Sequence, residues 1–436
     1  MNGDEIRREC AEIRAMARPL TSLADLDPLV SALRDKRVVC LGEASHGTHE
    51  FYAWRCEVTR RLIEDGDIAF IGVEGDWPDC WLVDRWVRGL EHQEFDARHL
   101  LLEFERWPTW MWANEEVADF LDWMRTQNLR RPEAQRVGFY GLDVYSLWDS
   151  LREVFSWLER HAPEAVPIAS SAWRCFAPFN EDPQSYARTT ALVPETCEQD
   201  VVNLLVTVRK ETAAREAVSQ DAFAAAQNAE VVAGAERYYR AMVRSNRSSW
   251  NVRDFHMADT LDRLCAHWGA TSRAVVWAHN THVGDARATD MAGAGMVNLG
   301  QVIRERHGAE ETALVGFASH RGSVVAAASW GDPDRSLPVP EAARGSHEDL
   351  LHIALDEPSL LVFPEDRSGP WLSARRGHRA IGVVYQPVRE AGNYVPTVMG
   401  QRYDALLWFE DSSALAPLRH EPKPSELEFE TEPSGY

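Results

Sequence analysis

Four short apolar runs in this chain read as buried β-strands, and each ends abruptly in ionisable side chains. Arg37–Gly42 leads into Glu43-Ala44-Ser45-His46-Gly47, Ile68–Val73 into Glu74, Val137–Leu142 into Asp143, and Ala274–Ala278 into His279-Asn280-Thr281-His282. In an open α/β sheet, ligands bind outside the carboxyl ends of the strands. If the four strands are parallel neighbours, their terminal histidines and carboxylates meet on one rim. The expected fold is therefore α/β, a central and mainly parallel sheet flanked by helices.

The rest of the chain arranges itself around that sheet. Residues 5–35 pattern as a helical lead-in, and a helix over 49–64 follows the first strand with Phe51, Trp54, Val58 and Leu62 as its apolar stripe. Arg55 shares the inward edge of that helix, where a guanidinium needs a partner, and Glu43 and Glu74 are the candidates. A tryptophan-dense stretch holds Trp77, Trp81, Trp86, Trp107, Trp110 and Trp112. Between Asp143 and Ala274 no strand signal appears; the alanine-rich run Glu211–Ala235 and the segment Val252–His267 both pattern as helix. Residues 148–248 are thus expected to be a helical cap inserted between two parts of the core, 1–147 and 249–418. Further short strands are expected at Ala313–Phe317, Ser323–Ala327, Leu360–Phe363, Ala380–Tyr385 and Asp404–Phe409. Residues 419–436, rich in Pro and Glu, are expected to be a disordered tail.

A net charge of -22 over 436 residues argues against nucleic acid or an anionic membrane as partner. No apolar run is long enough to span a bilayer, and the polar Met1–Cys10 segment lacks the apolar centre of a secretory signal. The seven cysteines are scattered with no C-x-x-C pair, and Cys40 and Cys56 sit in apolar segments as reduced core residues. These features predict a cytoplasmic protein with no structural metal and no cofactor.

Gly42–Gly47 carries the sharpest chemical signal. A glycine at each side allows a tight strand-to-helix turn that presents Glu43 and His46 at a helix N-terminus. A carboxylate beside an imidazole fixes its tautomer and raises its basicity, as a general base requires. The plainer reading is a capping Glu43 with an incidental His46. Ser45 is not an elbow nucleophile, because Glu43 stands where G-x-S-x-G needs its first glycine. His279 and His282, with Asp285 close behind, are suited to polarise a carbonyl, stabilise an oxyanion or bind a metal. Glu74 is placed to share a proton with Glu43 or to orient His46. Glu43, His46, Glu74, His279 and His282 also make an alternative metal-ligand set of carboxylates and imidazoles. Asp143, Arg253, Trp77 and Trp110 are candidates for substrate contact; a plain charge pair at a helix start competes for Arg253 and Asp254, and core packing competes for the tryptophans.

These stretches together resemble the erythromycin esterase family, which also takes in proteins labelled as succinoglycan biosynthesis proteins. The resemblance rests on Leu41-Gly-Glu-Ala-Ser-His-Gly-Thr-His-Glu-Phe51 through Arg55, Gly72–Trp77, Gly138–Asp143, Trp250–Asp254 with Met257, and Trp277–His282. Gly382–Tyr385, Asn393-Tyr394 and Arg402–Asp404 through Trp408-Phe409 extend it, so it covers about residues 20–415. The resemblance implies an α/β core with a helical cap and an ester hydrolase that opens a macrolide lactone or related ester with water. It implies no covalent intermediate and no metal, with His46 as general base and Glu43, Arg55, Glu74, His279 and His282 as the other active-site residues. A metal-dependent hydrolase on the same residues, or a non-catalytic binding protein of polysaccharide assembly, are the alternatives.

Overall fold

Successive strand residues point to opposite faces of a sheet, and in this protein both faces are covered. Val39, Leu41, Ile71, Val73, Val275 and Trp277 belong to one apolar cluster, while Val38, Cys40, Phe70, Ala274 and Val276 belong to another. Burial on both sides is why these strands are continuously apolar rather than alternating.

The computed structural model describes residues 3–90, 95–179, 182–192, 196–215, 219–243 and 245–419; beyond Arg419 the expected tail lies outside the described residues. The strands are β1 (Ala17–Pro19), β2 (Val38–Leu41), β3 (Ile68–Val73), β4 (Gly138–Gly141), β5 (Arg273–Trp277), β6 (Thr312–Ala326), β7 (Arg335–Val339), β8 (Ser359–Val362), β9 (Arg375–Arg379), β10 (Tyr394–Val398) and β11 (Ala405–Ser412). One sheet runs β1-β8-β11-β6-β2-β5-β3-β4, with β7 on the far half of β6; β9 and β10 form a separate ribbon. The six strands from β11 to β4 are parallel, and β1, β7 and β8 pair antiparallel. The four strands that end in ionisable residues are therefore consecutive, β2-β5-β3-β4. Leu41, Trp277, Val73 and Gly141 stand level across them, which sets Glu43, His279, Glu74 and Asp143 along one rim.

Several elements differ from expectation. Ala313–Phe317 and Ser323–Ala327 are two ends of the single strand β6, which passes through Gly322 at φ 141. Ala380–Tyr385 is not a strand and makes only isolated bridges at Ile381 and Val384. The strand there is β9, Arg-Arg-Gly-His-Arg, hidden in the sequence because its inward ionisable residues meet acids from distant segments, Arg376 with Glu9, His378 with Glu348 and Arg379 with Glu390, while Arg375 is exposed. The alanine-rich run is also interrupted. One helix ends at Thr212, and the next, Gln220–Met242, begins at Ser219, whose side chain accepts a hydrogen bond from the Ala222 amide.

Between β4 and β5 the described residues contain helices and no strand: Leu147–His161, Val166–Phe176, Pro183–Leu192, Glu198–Thr212, Gln220–Met242 and Asn246–Trp268. Those up to Met242 close over their own apolar cluster, including Trp148, Leu151, Phe176, Leu204 and Tyr238. Cys175 and Cys197 form a disulfide that the spacing of the cysteines did not announce, whereas Cys10, Cys40, Cys56, Cys80 and Cys265 are buried free thiols. Disulfides are commoner in oxidising compartments, so the expected cytoplasmic setting does not account for this one. Among the described residues no helix is long and apolar enough to cross a membrane.

The glycines of the first turn act through close approach rather than backbone freedom, since neither Gly42 nor Gly47 has a positive φ. A Cβ at Gly47 would lie 1.9 Å from the Val325 carbonyl oxygen, and one at Gly42 would lie 2.1 Å from Asn280 Oδ1. Gly47→Ala should destabilise the fold by about 1–3 kcal/mol, because the obstacle is backbone and cannot rotate away. The urea midpoint measures this, and an unchanged midpoint would contradict the packing described.

Candidate active site

Glu43 and His46 lie in the loop that follows β2, ahead of the helix His49–Asp65, whose N-cap is Thr48; Glu43 does not cap it. Glu43 Oε1 stands 2.8 Å from His46 Nδ1 and both residues are buried. Because a carboxylate can only accept, Nδ1–H donates to Glu43, which places the imidazole proton on Nδ1 and the lone pair on Nε2. Arg55, fully buried, sets Nη1 3.1 Å from the other Glu43 oxygen. Its guanidinium lies 4.4 Å from the Tyr52 ring centroid and 4.8 Å from that of Trp277. Glu43 is thus the partner that the inward edge required, and Glu43 rather than Glu74 orients His46.

Glu74 is engaged elsewhere. Its Oε1 accepts from Arg253 Nη2 at 2.7 Å, and its Oε2 accepts from the His279 backbone N–H at 2.8 Å. Arg253 also forks onto Asp143, at 3.0 and 2.7 Å. Burial alone would raise the Glu74 pKa; the charges of His282 and Arg253 outweigh it and hold the carboxyl well below the ordinary range. Asp143 is likewise held down, against burial, by Arg253.

The two histidines of the β5 loop are in opposite states. His282 has Asp254 2.9 Å from Nδ1 and Glu74 3.3 Å from Nε2, and stacks on Trp250 with ring centroids 4.4 Å apart. Burial and the Arg253 guanidinium, whose Nη1 stands 3.2 Å from Nε2, act to lower its pKa, but Asp254 and Glu74 outweigh them and lift it to about 10, which favours the charged ring at neutral pH. His279 Nδ1 accepts from the Thr281 backbone N–H, which puts its proton on Nε2. Burial, then the neighbouring His46, pushes the His279 pKa well below the usual value. Its Nε2–H makes no hydrogen bond of good geometry among the described residues, although the Ala44 backbone lies near enough to raise the pKa of the ring, and its ring centroid is 4.7 Å from that of His46. A neutral donor therefore sits beside an imidazole with a lone pair.

Of the residues singled out in the sequence, Glu43, His46, Arg55, Glu74, Asp143, Arg253, His279 and His282 come together. Asp143 and Arg253, expected as substrate contacts, are buried and hydrogen-bonded to each other, and Arg253 also reaches Glu74. Trp77 is fully buried, with the Trp81 and Tyr140 ring centroids each 5.7 Å away. Trp110 is buried in the apolar cluster on the other face of the sheet. Asp285 turns away to Arg287 and Arg304, and the Ser45 hydroxyl bonds Thr48. Trp250 enters only as a motif residue, and Asp254 as a neighbour of Arg253 for which the sequence favours a plain helix-start charge pair. Their spacing of three and four around Arg253 and Trp250 puts all three on one helix face, the signal that was available. Trp112, whose indole donates to the Glu74 carbonyl at 3.2 Å, carried no such signal. The alternative metal set fits poorly: among the described residues no three ligand atoms of Glu43, His46, Glu74, His279 and His282 converge within 4.8 Å, and Glu43 and Glu74 already face guanidinium groups.

A carboxylate-oriented imidazole and a second imidazole thus stand side by side on the carboxyl rim of a helix-covered, mainly parallel sheet. The chain belongs to the erythromycin esterase family, whose model, described as Erythromycin esterase, matches residues 63–412. Membership supports ester hydrolysis, with a small-molecule ester as substrate, as the type of function. Over 427 residues, 91% of this chain and 90% of the relative, it is 21% identical to "Putative hydrolase YbfO" of Bacillus subtilis (strain 168). Over 120 residues, 28% of this chain and 26% of the relative, it is 27% identical to erythromycin esterase type II of Escherichia coli. A solved succinoglycan biosynthesis protein has the same fold, with a TM-score of 0.75 at 17% identity over 95% of this chain and 100% of that one. So does a mutant of erythromycin esterase EreC in its open conformation, with a TM-score of 0.66 at 17% identity over 93% and 97%.

The charge state of His282 has a consequence for stability. Its folded pKa of about 10 lies above the ordinary histidine value of about 6.5. Its stabilisation is therefore complete below the ordinary value and drains away as pH rises toward 10. Glu74 acts in the other direction, stabilising above the usual carboxylate range and ceasing to do so as acid titrates it. Wild-type protein should lose urea resistance between about pH 7 and about pH 9.5, and His282→Gln should lose less over that interval from a lower start. Equal slopes in the two proteins would mean that His282 carries no charge.

Proposed function

We propose that the protein hydrolyses a carboxylic ester, a macrolide lactone or a related ester, by activating water with His46. The observation that carries the reading is the pairing of His46, fixed by Glu43 through Nδ1, with the His279 ring beside it, whose Nε2–H makes no hydrogen bond of good geometry among the described residues. In this mechanism His46 Nε2 takes a proton from water while the water oxygen attacks the ester carbonyl. His279 donates to the oxyanion that forms, as a neutral group that loses no proton. The tetrahedral species collapses, the carbonyl re-forms, and the C–O bond to the alcohol breaks. The His46 imidazolium returns its proton to the departing oxygen, so a lactone opens to a hydroxy acid with no covalent enzyme intermediate. Arg55 balances Glu43, and Arg253 with His282 fixes Glu74, whose second oxygen holds the backbone of His279.

We assign residues 148–248 as the cap that selects the substrate. The insertion leaves the core directly from the reactive rim. Tyr145, two residues beyond Asp143, lies with its ring centroid 5.1 Å from the Arg253 guanidinium and 4.5 Å from that of Arg106. Macrolides and simple acyl esters, assayed side by side, test the substrate class.

His46→Ala should lower kcat by about 10²–10⁴ and His279→Ala by about 10²–10³, each with an unchanged circular dichroism spectrum. Wild-type kcat/KM should rise with pH through a single histidine ionisation that His46→Ala abolishes. Turnover by His46→Ala near the wild-type rate on the best ester found would remove His46 from the chemistry. Inactivity of the wild type on the whole panel, alongside binding of one ligand, would turn the reading toward a non-catalytic protein.

A further inference from the structure

The two neighbouring strands β6 and β11 carry a second cluster of metal-binding side chains that shares no residue with the hydrolytic rim. Ser319 pairs with Phe409 and Arg321 with Asp411, which brings His320 and Glu410 side by side on one face of the sheet. The helix His347–Ala354 supplies His352. One ligand atom from each of His320, His352 and Glu410 lies within 4.8 Å of the other two. We propose that these three residues bind a divalent transition-metal ion of the zinc class.

An ordinary surface ion pair accounts for half of the arrangement. His352 Nδ1 stands 2.8 Å from Glu410 Oε1, and both side chains reach solvent. It does not account for His320, which is 3% exposed yet has neither ring nitrogen hydrogen-bonded among the described residues. Burying an imidazole with both nitrogens unused costs free energy that a metal–nitrogen bond would recover. Burial, and then the adjacent His352, holds the His320 pKa below the usual value, so the ring keeps the lone pair that a ligand needs.

Two imidazoles and one carboxylate suit Zn²⁺ and leave a fourth position for water or an anion. Tetrahedral zinc requires its donors to stand about 3.3 Å apart, closer than the outer limit of this cluster. The closure falls to the exposed members. The rings of His320 and His352 now lie parallel, 7° apart in plane with centroids at 3.9 Å. Parallel rings cannot both aim a lone pair at one ion, so metal loading rotates His352 out of the stack. The ion then clamps the helix to β6 and β11. The carbonyls of Ser319 and His320 accept from Arg379, whose backbone N–H bonds Glu348 at the head of the same helix.

The test uses the full chain stripped by chelator and dialysed. It is titrated with Zn²⁺ by calorimetry and with Co²⁺ by visible absorption, in wild type, His320→Ala, His352→Ala, Glu410→Gln and His46→Ala. Wild type and His46→Ala should each bind one equivalent and gain melting temperature with Zn²⁺. His352→Ala, at an exposed site, and His320→Ala should lose both the equivalent and the gain, and Glu410→Gln should bind at least about tenfold more weakly. No saturable equivalent in the wild type would overturn the proposal, as would an equivalent that survives His352→Ala. Binding lost in His46→Ala but kept in His320→Ala would place the ion at the hydrolytic rim, overturning this proposal and the metal-free mechanism together.

Discussion

The carboxylates of the rim are buried, and everything at the site depends on the cations that reach them. A buried carboxylate costs several kcal/mol unless a partner and hydrogen bonds offset it. Arg55 comes from the helix that follows β2 and meets Glu43; Arg253 comes from the helix that precedes β5 and spans Glu74 and Asp143. Arg55 serves the end of the strand before its own helix, whereas Arg253 serves two strand ends remote from it in sequence. Arg253 in particular ties β3 and β4 to a helix that follows the whole insertion, so the rim is complete only when that helix has docked. Folding of the core and assembly of the site are one event.

The same electrostatic frame sorts two histidines three residues apart. His282 is drawn between two carboxylates and stays charged; His279 faces another imidazole, uses its own carboxylate contact through the backbone, and stays neutral. Environments that push neighbouring titratable groups apart mark acid–base assignments in active sites. Here they push His282 toward the charged form and His279 toward the neutral one. Asn280, between them, locks the loop by donating its backbone N–H to the Glu43 carbonyl and its amide to that of Phe317, each at 2.8 Å. The space it needs is the reason that residue 42 has no side chain.

Legibility followed burial chemistry. The central strands were readable because a strand covered on both faces must be apolar throughout, and their ends were readable because ionisable residues are conspicuous after such a run. The ribbon strand β9 was unreadable because Arg-Arg-Gly-His-Arg looks solvated, and only the acids Glu9, Glu348 and Glu390, brought from distant segments, make it burial-competent. Trp77 and Trp110 illustrate the converse: a tryptophan fits a pocket wall and a core equally well, and packing alone decides which.

The sequence by itself determined the composition of the rim: which strands end in which acids and bases, and that a guanidinium on the inward edge of the first helix must find a carboxylate. Local pattern suffices there, because apolar period and charge are properties of neighbouring residues. The tertiary structure decided the pairing. That β5 inserts between β2 and β3, that Glu74 is taken up by Arg253 rather than by His46, and that Arg253 spans both Glu74 and Asp143 are all contacts across large sequence separations. Coulomb energies at such contacts depend on distance and burial, and neither exists until the chain has folded.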